Sequence, residues 1–122
     1  MNWKQGTRQT YYERLVLKIK REITRGILLA DEKLPSVRDM ALQEQLNPNT
    51  VAKAYKQLEA DGVVYVRPGQ GTFVAPVVDG SAEQLAKLRA GLAELAIEAR
   101  TQGVSAATMH AWIDEEYGEV SQ

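Results

Sequence analysis

Lys33–Ala75 reads KLPSVRDMALQEQLNPNTVAKAYKQLEADGVVYVRPGQGTFVA, and the fold is decided there. Ser36 stands as the N-cap of a short helix, with Asp39 three residues on to complete a capping box. Val37, Met40, Ala41 and Leu46 supply its apolar stripe. Asn47-Pro48-Asn49-Thr50 opens a second helix: Asn47 caps it, and Pro48 fits the first turn, where a missing N–H costs nothing. Val51, Ala54, Tyr55 and Leu58 recur at helical spacing and face a core, leaving Asn49, Thr50, Lys53 and Gln57 outside with Ala52 giving room beside them. Asp61-Gly62 breaks the helix. Val63–Val66 and Thr72–Val74 are short β runs, joined by Arg67-Pro68-Gly69-Gln70-Gly71. Two short helices, a turn and a hairpin in this order read as a winged helix-turn-helix.

The flanks read as support for that unit. Residues 1–10 are polar and without period, an N-terminal arm in which Trp3 is expected to pack back on the domain, the alternative being a contact across a dimer. Tyr11–Arg25 is a first helix with Tyr12, Leu15, Val16, Ile19 and Ile23 on one stripe and Arg14, Lys18, Arg21 and Arg25 off it. Gly26 ends it in the C′ role, and Ile27–Lys33 links it to the next helix. Residues 76–80, with Pro76 and Asp79-Gly80, form a linker. Ser81 and Gln84 make a capping box for a fourth helix, in which Leu85, Leu88, Leu92, Leu95 and Ala99 step alternately by three and four. Gly103 ends it. Ser105 caps a fifth helix, with Met109, Trp112 and Ile113 on an apolar face and Glu115, Glu116 and Glu119 elsewhere. Two helices of this length cannot bury two apolar stripes between themselves; they need either the winged domain or another chain. Residues 81–122 are expected to join a second chain, with Leu85, Leu88, Leu92, Leu95, Met109, Trp112 and Ile113 at the dimer interface.

Composition narrows the chemistry. The chain has 122 residues, no cysteine and a single histidine, His110. That excludes disulfides, thiolate metal sites and a histidine-based metal cluster within one chain, and no cofactor is implied. No apolar run approaches the length of about 18 residues that a membrane helix needs. The N-terminus carries no signal-like apolar stretch, so a cytoplasmic protein is expected. The net charge of −1 conceals an asymmetry: residues 1–75 hold 12 Lys/Arg against 8 Asp/Glu, residues 76–122 hold 3 against 8. A basic front and an acidic back suit a molecule of which one part meets phosphate.

The second helix of a winged helix-turn-helix lies in the DNA major groove. Small polar side chains at its N-terminus, with one cation a turn later, suit that placement. Asn49 can bond an adenine edge, Thr50 a phosphate or a thymine methyl, and Lys53 guanine or phosphate. Arg38 sits in the first turn of its helix, where a cation opposes the helix dipole, so it wants an anion: an external one, or a nearby carboxylate. Arg67, Gly69 and Gln70 form a hairpin tip that can approach a backbone or minor groove. The Gly-rich loop is no nucleotide loop, since no Gly-Lys-Ser/Thr follows.

Leu34–Ala41, Asn47–Tyr55, Leu58–Gly62 and Gly69–Val74 together resemble the GntR family of bacterial transcription regulators over roughly residues 11–75. The short two-helix tail is similar to the YtrA-like branch, which lacks a large effector domain; the length excludes the aminotransferase-fused branch. The resemblance implies DNA contacts from Arg38, from Asn47, Asn49, Thr50 and Lys53, and from the wing tip at Gly69 with Arg67 and Gln70 beside it. Two departures stand out. Ala30-Asp31 replaces the usual Pro-Gly, and Pro48 and Ala52 replace arginines found in other branches, which shifts base reading toward Asn49 and Lys53. The branch often represses neighbouring transporter operons.

The expected molecule is mainly α with a small β-hairpin: a winged helix-turn-helix over residues 11–75 and a helical dimerisation segment over 81–122. Its expected partners are operator DNA with an inverted repeat and a second copy of itself; it is not an enzyme, and no membrane is involved. An unidentified small-molecule effector between the C-terminal helices is left open. The rival reading, a winged module that binds protein, is disfavoured by Asn49, Thr50, Lys53 and Arg38, where acidic or apolar residues would have supported it.

Overall fold

A computed structural model describes residues 10–118. The expected arm at residues 1–9 with Trp3, and Glu119 at the other end, lie outside the described residues. In order come α1 (Tyr11–Thr24), α2 (Val37–Glu44), α3 (Pro48–Ala60), β1 (Val64–Arg67), β2 (Gly71–Val74), α4 (Ala82–Thr101) and α5 (Ala106–Tyr117). The chain divides into two compact units that meet between Val78 and Asp79.

In the first unit, side-chain caps start each helix. Thr10 belongs to α1, not to a loose arm: its hydroxyl accepts from the Glu13 N–H, and Glu13 returns the bond to the Thr10 N–H at 3.0 Å. That backbone bond holds the Glu13 carboxyl below its usual pKa. At the other end Arg25 is the C-cap, so α1 stops one residue earlier than its periodicity suggests. Gly26 takes φ +75°, and the Ile27 N–H reaches back to the Glu22 carbonyl at 2.9 Å, a Schellman closure. Ser36 caps α2 by accepting from the Asp39 N–H at 3.0 Å. The expected capping box is half made: Asp39 does not return the bond, because its side chain is a methylene shorter than the Glu or Gln that does so.

The core gathers Leu15, Val16 and Ile19 of α1, Leu34 of the linker, Met40 and Ala41 of α2, and Val51, Ala54, Tyr55 and Leu58 of α3, with Val64 and Val74 of the hairpin. Val51, Ala54 and Leu58 are 0% exposed. The Tyr55 hydroxyl donates to the Pro35 carbonyl at 2.7 Å, tying α3 to the entry of α2. Lys18, placed off the apolar stripe by the sequence, pairs with Glu44 at 2.6 Å, and Lys20 pairs with Asp61 at 2.9 Å, so two α1 cations are clips to α2 and to the end of α3.

The hairpin is antiparallel, with Tyr65 opposite Phe73 and Arg67 opposite Gly71. Val63 precedes the strand, since its N–H closes the end of α3 on the Leu58 carbonyl; Arg67 and Gly71, assigned from sequence to the loop, are paired strand residues. Pro68-Gly69-Gln70 remains as the tip. The α1–α2 linker lies along the other edge of β2: Lys33 bridges Phe73, the Leu34 N–H donates to the Thr72 carbonyl at 2.8 Å, and the Val74 N–H to Glu32 at 2.9 Å.

The second unit is α4 and α5. The Ser81–Gln84 capping box is complete, and Ser105 caps α5 through the Thr108 N–H. Only Ala99 is buried in the 20-residue α4, and nothing is buried in α5.

Leu58→Ala is expected to lower the unfolding free energy by about 2–5 kcal/mol, the range for a truncated core leucine, read as a fall in the urea midpoint at unchanged slope. A second expectation concerns alkaline pH. Burial pushes the Tyr55 phenol from 10.0 up to about 12. The folded chain then holds this proton more tightly than the unfolded one, so the contribution is whole below pH 10.0 and is lost as pH rises through about 12. Melting curves of the parent and Tyr55→Phe across that window should converge as the parent loses stability.

Candidate nucleic-acid interface

Each sequence-predicted residue of the winged unit has a definite setting. Arg38 lies in the first turn of α2, exposed, and forms no ion pair among the described residues. The carboxylate that might have satisfied it inside the fold is not there, so its charge faces outward against the positive end of the helix dipole. Asn47 is the N-cap of α3: its side-chain oxygen accepts from the Asn49 N–H at 2.7 Å. Its amide N–H groups remain for an outside partner.

Asn49 and Lys53 are exposed on the face opposite the buried Val51–Leu58 ridge, and Thr50 is half-buried at the flank of that ridge. Lys53 is not free-swinging. Its ammonium rests 4.2 Å from the centroid of the Tyr12 ring on α1. Such a contact orients a cation without neutralising it. Sequence reading placed Tyr12 in the α1 core stripe and missed this role, which depends on how α1 packs on α3. Gln57, read as outward, donates to Asp61 at 2.9 Å and is tied to the end of its own helix.

On the wing, Gly69 takes φ +76°, and a Cβ built there would meet nothing within 4 Å. The tip is open, and the glycine is needed for its backbone conformation. Gln70 is exposed, its N–H bonded to the Arg67 carbonyl at 2.9 Å. Arg67 lies back along the hairpin: its guanidinium carbon is 4.3 Å from the Phe73 centroid and 5.3 Å from that of Tyr65. It also donates to the Tyr65 hydroxyl at 2.9 Å. Lys33 is a further cation at the wing that sequence reading passed over. It lies so close to Gly71 that a Cβ there would come within 2.7 Å of its Cε. Among the described residues no hydrogen bond links Arg38, the α3 set and the wing to one another; each is positioned by its own element.

The second unit offers apolar surface instead of charge. Leu85 is 54% exposed, Leu88 72%, Leu92 50% and Trp112 50%. Leu95 and Met109 are half-buried, and Ile113 is exposed. A groove of about 510 Å³ between α4 and α5 is lined by Leu92, Ala99, Val104, Met109 and Ile113, with Arg100 and His110. Among the described residues no group of three or more acidic, histidine or cysteine side chains could hold a metal ion. None of the described helices is long and apolar enough to cross a membrane.

Residues 11–74 match the gntR family of bacterial regulatory proteins. The chain is 36% identical over 109 residues to the HTH-type transcriptional repressor YtrA of Bacillus subtilis (strain 168), covering 85% of this chain and 82% of that protein. Among solved structures it is similar to a transcriptional antiterminator from Listeria monocytogenes EGD-e, with 37% identity and a TM-score of 0.82 over 93% of this chain and 84% of that one. It is also similar to AraR(DBD) in complex with operator ORE1, with 31% identity and a TM-score of 0.53 over 55% of this chain and 82% of that one.

Because Arg38 and Lys53 are exposed, Arg38→Ala and Lys53→Ala are each expected to change the unfolding free energy by no more than about 1 kcal/mol, the Lys53 variant losing its contact with Tyr12. Urea titration of both proteins measures this.

Proposed function

The chain belongs to the gntR family of bacterial regulatory proteins and is a DNA-binding transcription regulator, and from that premise we propose that it acts in the cytoplasm as a homodimeric, sequence-specific repressor. Each copy sets α3 in a major groove, with Asn49 and Lys53 on base edges and Thr50 and the Asn47 amide on base or phosphate. Arg38 contacts the backbone, and the wing, through Arg67, Gly69 and Gln70, follows the backbone or enters the adjacent minor groove. The observation that carries this reading is the α3 face itself. Asn49, Thr50 and Lys53 are held away from a ridge whose members Val51, Ala54 and Leu58 have 0% exposure.

The α4–α5 unit joins two copies. Its support is the exposed leucine seam of α4 together with Trp112 and Ile113, an apolar surface too large for two helices to cover alone. Two-fold pairing of winged units implies an inverted-repeat operator with half-sites about one helical turn or a little more apart. The repressor sense and the control of a transporter operon, its own included, follow the YtrA-like branch.

Selection from a pool of random-sequence duplexes, followed by gel shift across a salt series, tests the reading. A palindromic site should emerge, with affinity falling steeply as salt rises because bound cations release condensed counterions. Arg38→Ala and Lys53→Ala should each weaken binding to the selected duplex by roughly tenfold, within the range for single nucleic-acid contacts. Leu88→Asp should convert a dimer, seen by sedimentation equilibrium, to a monomer. Affinity indifferent to both sequence and ionic strength would sink the proposal.

A further inference from the structure

Asp31 carries the one backbone feature of the α1–α2 linker that the fold alone does not explain. It takes φ +67°, the left-handed region that glycine enters freely and that Asp enters more readily than most residues with a Cβ, though still at a cost. Its N–H is bonded to the Val74 carbonyl at 2.7 Å, so the turn is fastened to β2. A glycine would make the same turn and the same bond without strain. What a glycine lacks is the carboxylate, and that carboxylate is in use: it accepts from the Tyr65 hydroxyl at 2.6 Å.

The Tyr65 hydroxyl has a second partner. Its proton goes to Asp31, which turns a lone pair of the same oxygen toward the Arg67 guanidinium, 2.9 Å away. The direction is consistent with Tyr65 titrating above its ordinary value, chiefly because of the bond to Asp31. Tyr65 also stacks on Phe73, with centroids 5.8 Å apart and planes 24° from parallel, and Arg67 lies over that pair. Asp31 and Arg67 are exposed and Tyr65 is half-buried, so this chain of bonds runs along the outside of the wing, where core packing does not require it.

We infer that Asp31 and Tyr65 are positioning residues for Arg67: the carboxylate orients the phenol, and the phenol fixes the guanidinium on the wing for contact with nucleic acid. The inference rests on the reading of Arg67 as a DNA contact. An arginine on an exposed strand end samples many rotamers, and binding must suppress them. Here one N–H is spent on Tyr65 and the other donors stay available in a planar fork held against the Phe73 ring. The strained backbone at Asp31 is then the cost of placing a carboxylate at that spot, an outlier with a functional consequence.

Asp31→Gly separates positioning from structure. Glycine suits the turn, so thermal stability should be unchanged or raised, and removal of a negative charge would by itself favour DNA. A loss of affinity therefore runs against both simpler expectations. The probe is the duplex that the parent protein selects from a random-sequence pool. Roughly tenfold weakening is expected for Asp31→Gly, a size typical of residues coupled in one hydrogen-bond network. Tyr65→Phe, which keeps the ring and removes the link, should weaken binding comparably. Asp31→Asn, which keeps an acceptor oxygen, should bind within about threefold of the parent on the same scale. In an Arg67→Ala background Asp31→Gly should have no further effect. If Arg67→Ala alone leaves affinity unchanged, the wing assignment and this inference both fall. If Arg67→Ala weakens binding while Asp31→Gly and Tyr65→Phe bind like the parent, the positioning role alone is overturned. Additive losses in the double variant overturn it as well.

Discussion

The burial of Val51, Ala54, Tyr55 and Leu58 fixes the rotation of α3, and the rest of the winged unit depends on that rotation. A helix of 13 residues is at the margin of stability by itself. It persists because one face is sealed under α1, α2 and the hairpin, each fully buried aliphatic side chain contributing about 1.5–3 kcal/mol. The Tyr55–Pro35 bond then sets where α2 begins relative to α3. A rotation of α3 by one residue would turn Thr50, Lys53 and Gln57, or Lys56 and Glu59, into that core, where an unpaired polar group is costly. The outward set is thus defined by exclusion: these residues meet solvent because their neighbours cannot.

Four cations of this unit differ in the kind of group that holds them. Lys18 and Lys20 are paired with carboxylates and serve to clip helices together. Lys53 and Arg67 rest on aromatic rings instead. A ring face restrains the position of a charge and leaves it uncancelled, whereas a carboxylate at contact distance removes most of its field. Arg38 has neither partner among the described residues. Charges kept oriented and unneutralised are what a polyanion can use, and the aromatic supports Tyr12, Tyr65 and Phe73 come from elements flanking α3.

What could be read from sequence was what is local. The α3 ridge follows from a period, the Asn47-Pro48 start and the Gly26 and Gly62 stops from cap chemistry spanning a few residues, and the hairpin from its β-branched runs. The Asp39 half of the capping box failed on side-chain length. The polar residues before Thr10 show no period and hide its place at the start of α1, although Glu13 three residues on is the signal for a cap. The site's fine structure was not legible. Lys53 meets Tyr12, and Tyr65 meets Asp31 across 34 residues of sequence; no spacing rule connects such residues before the helices and the wing have packed. Asp31 was noticed as a departure in the turn, but only the folded wing shows what its carboxylate reaches.

The two units differ in what they leave unfinished. Among the described residues, the core of the winged unit is drawn from positions within 12–74. The α4–α5 unit has well-formed caps at both helix starts and a single buried side chain, Ala99. Good caps specify where a helix begins and ends; they do not supply the burial that holds two helices together. The segment thus has well-defined ends and uncovered leucines, which is what the proposed pairing of two copies would cover. On the dimer reading, that pairing also serves recognition. One winged unit reads only a few base pairs, and each contact is worth a modest factor. A second unit held at fixed separation binds as an intramolecular event, at an effective concentration set by the joint. The short polar side chains of α3 can then be individually weak readers, because discrimination comes from two of them in register, and that register is imposed by the apolar seam of α4.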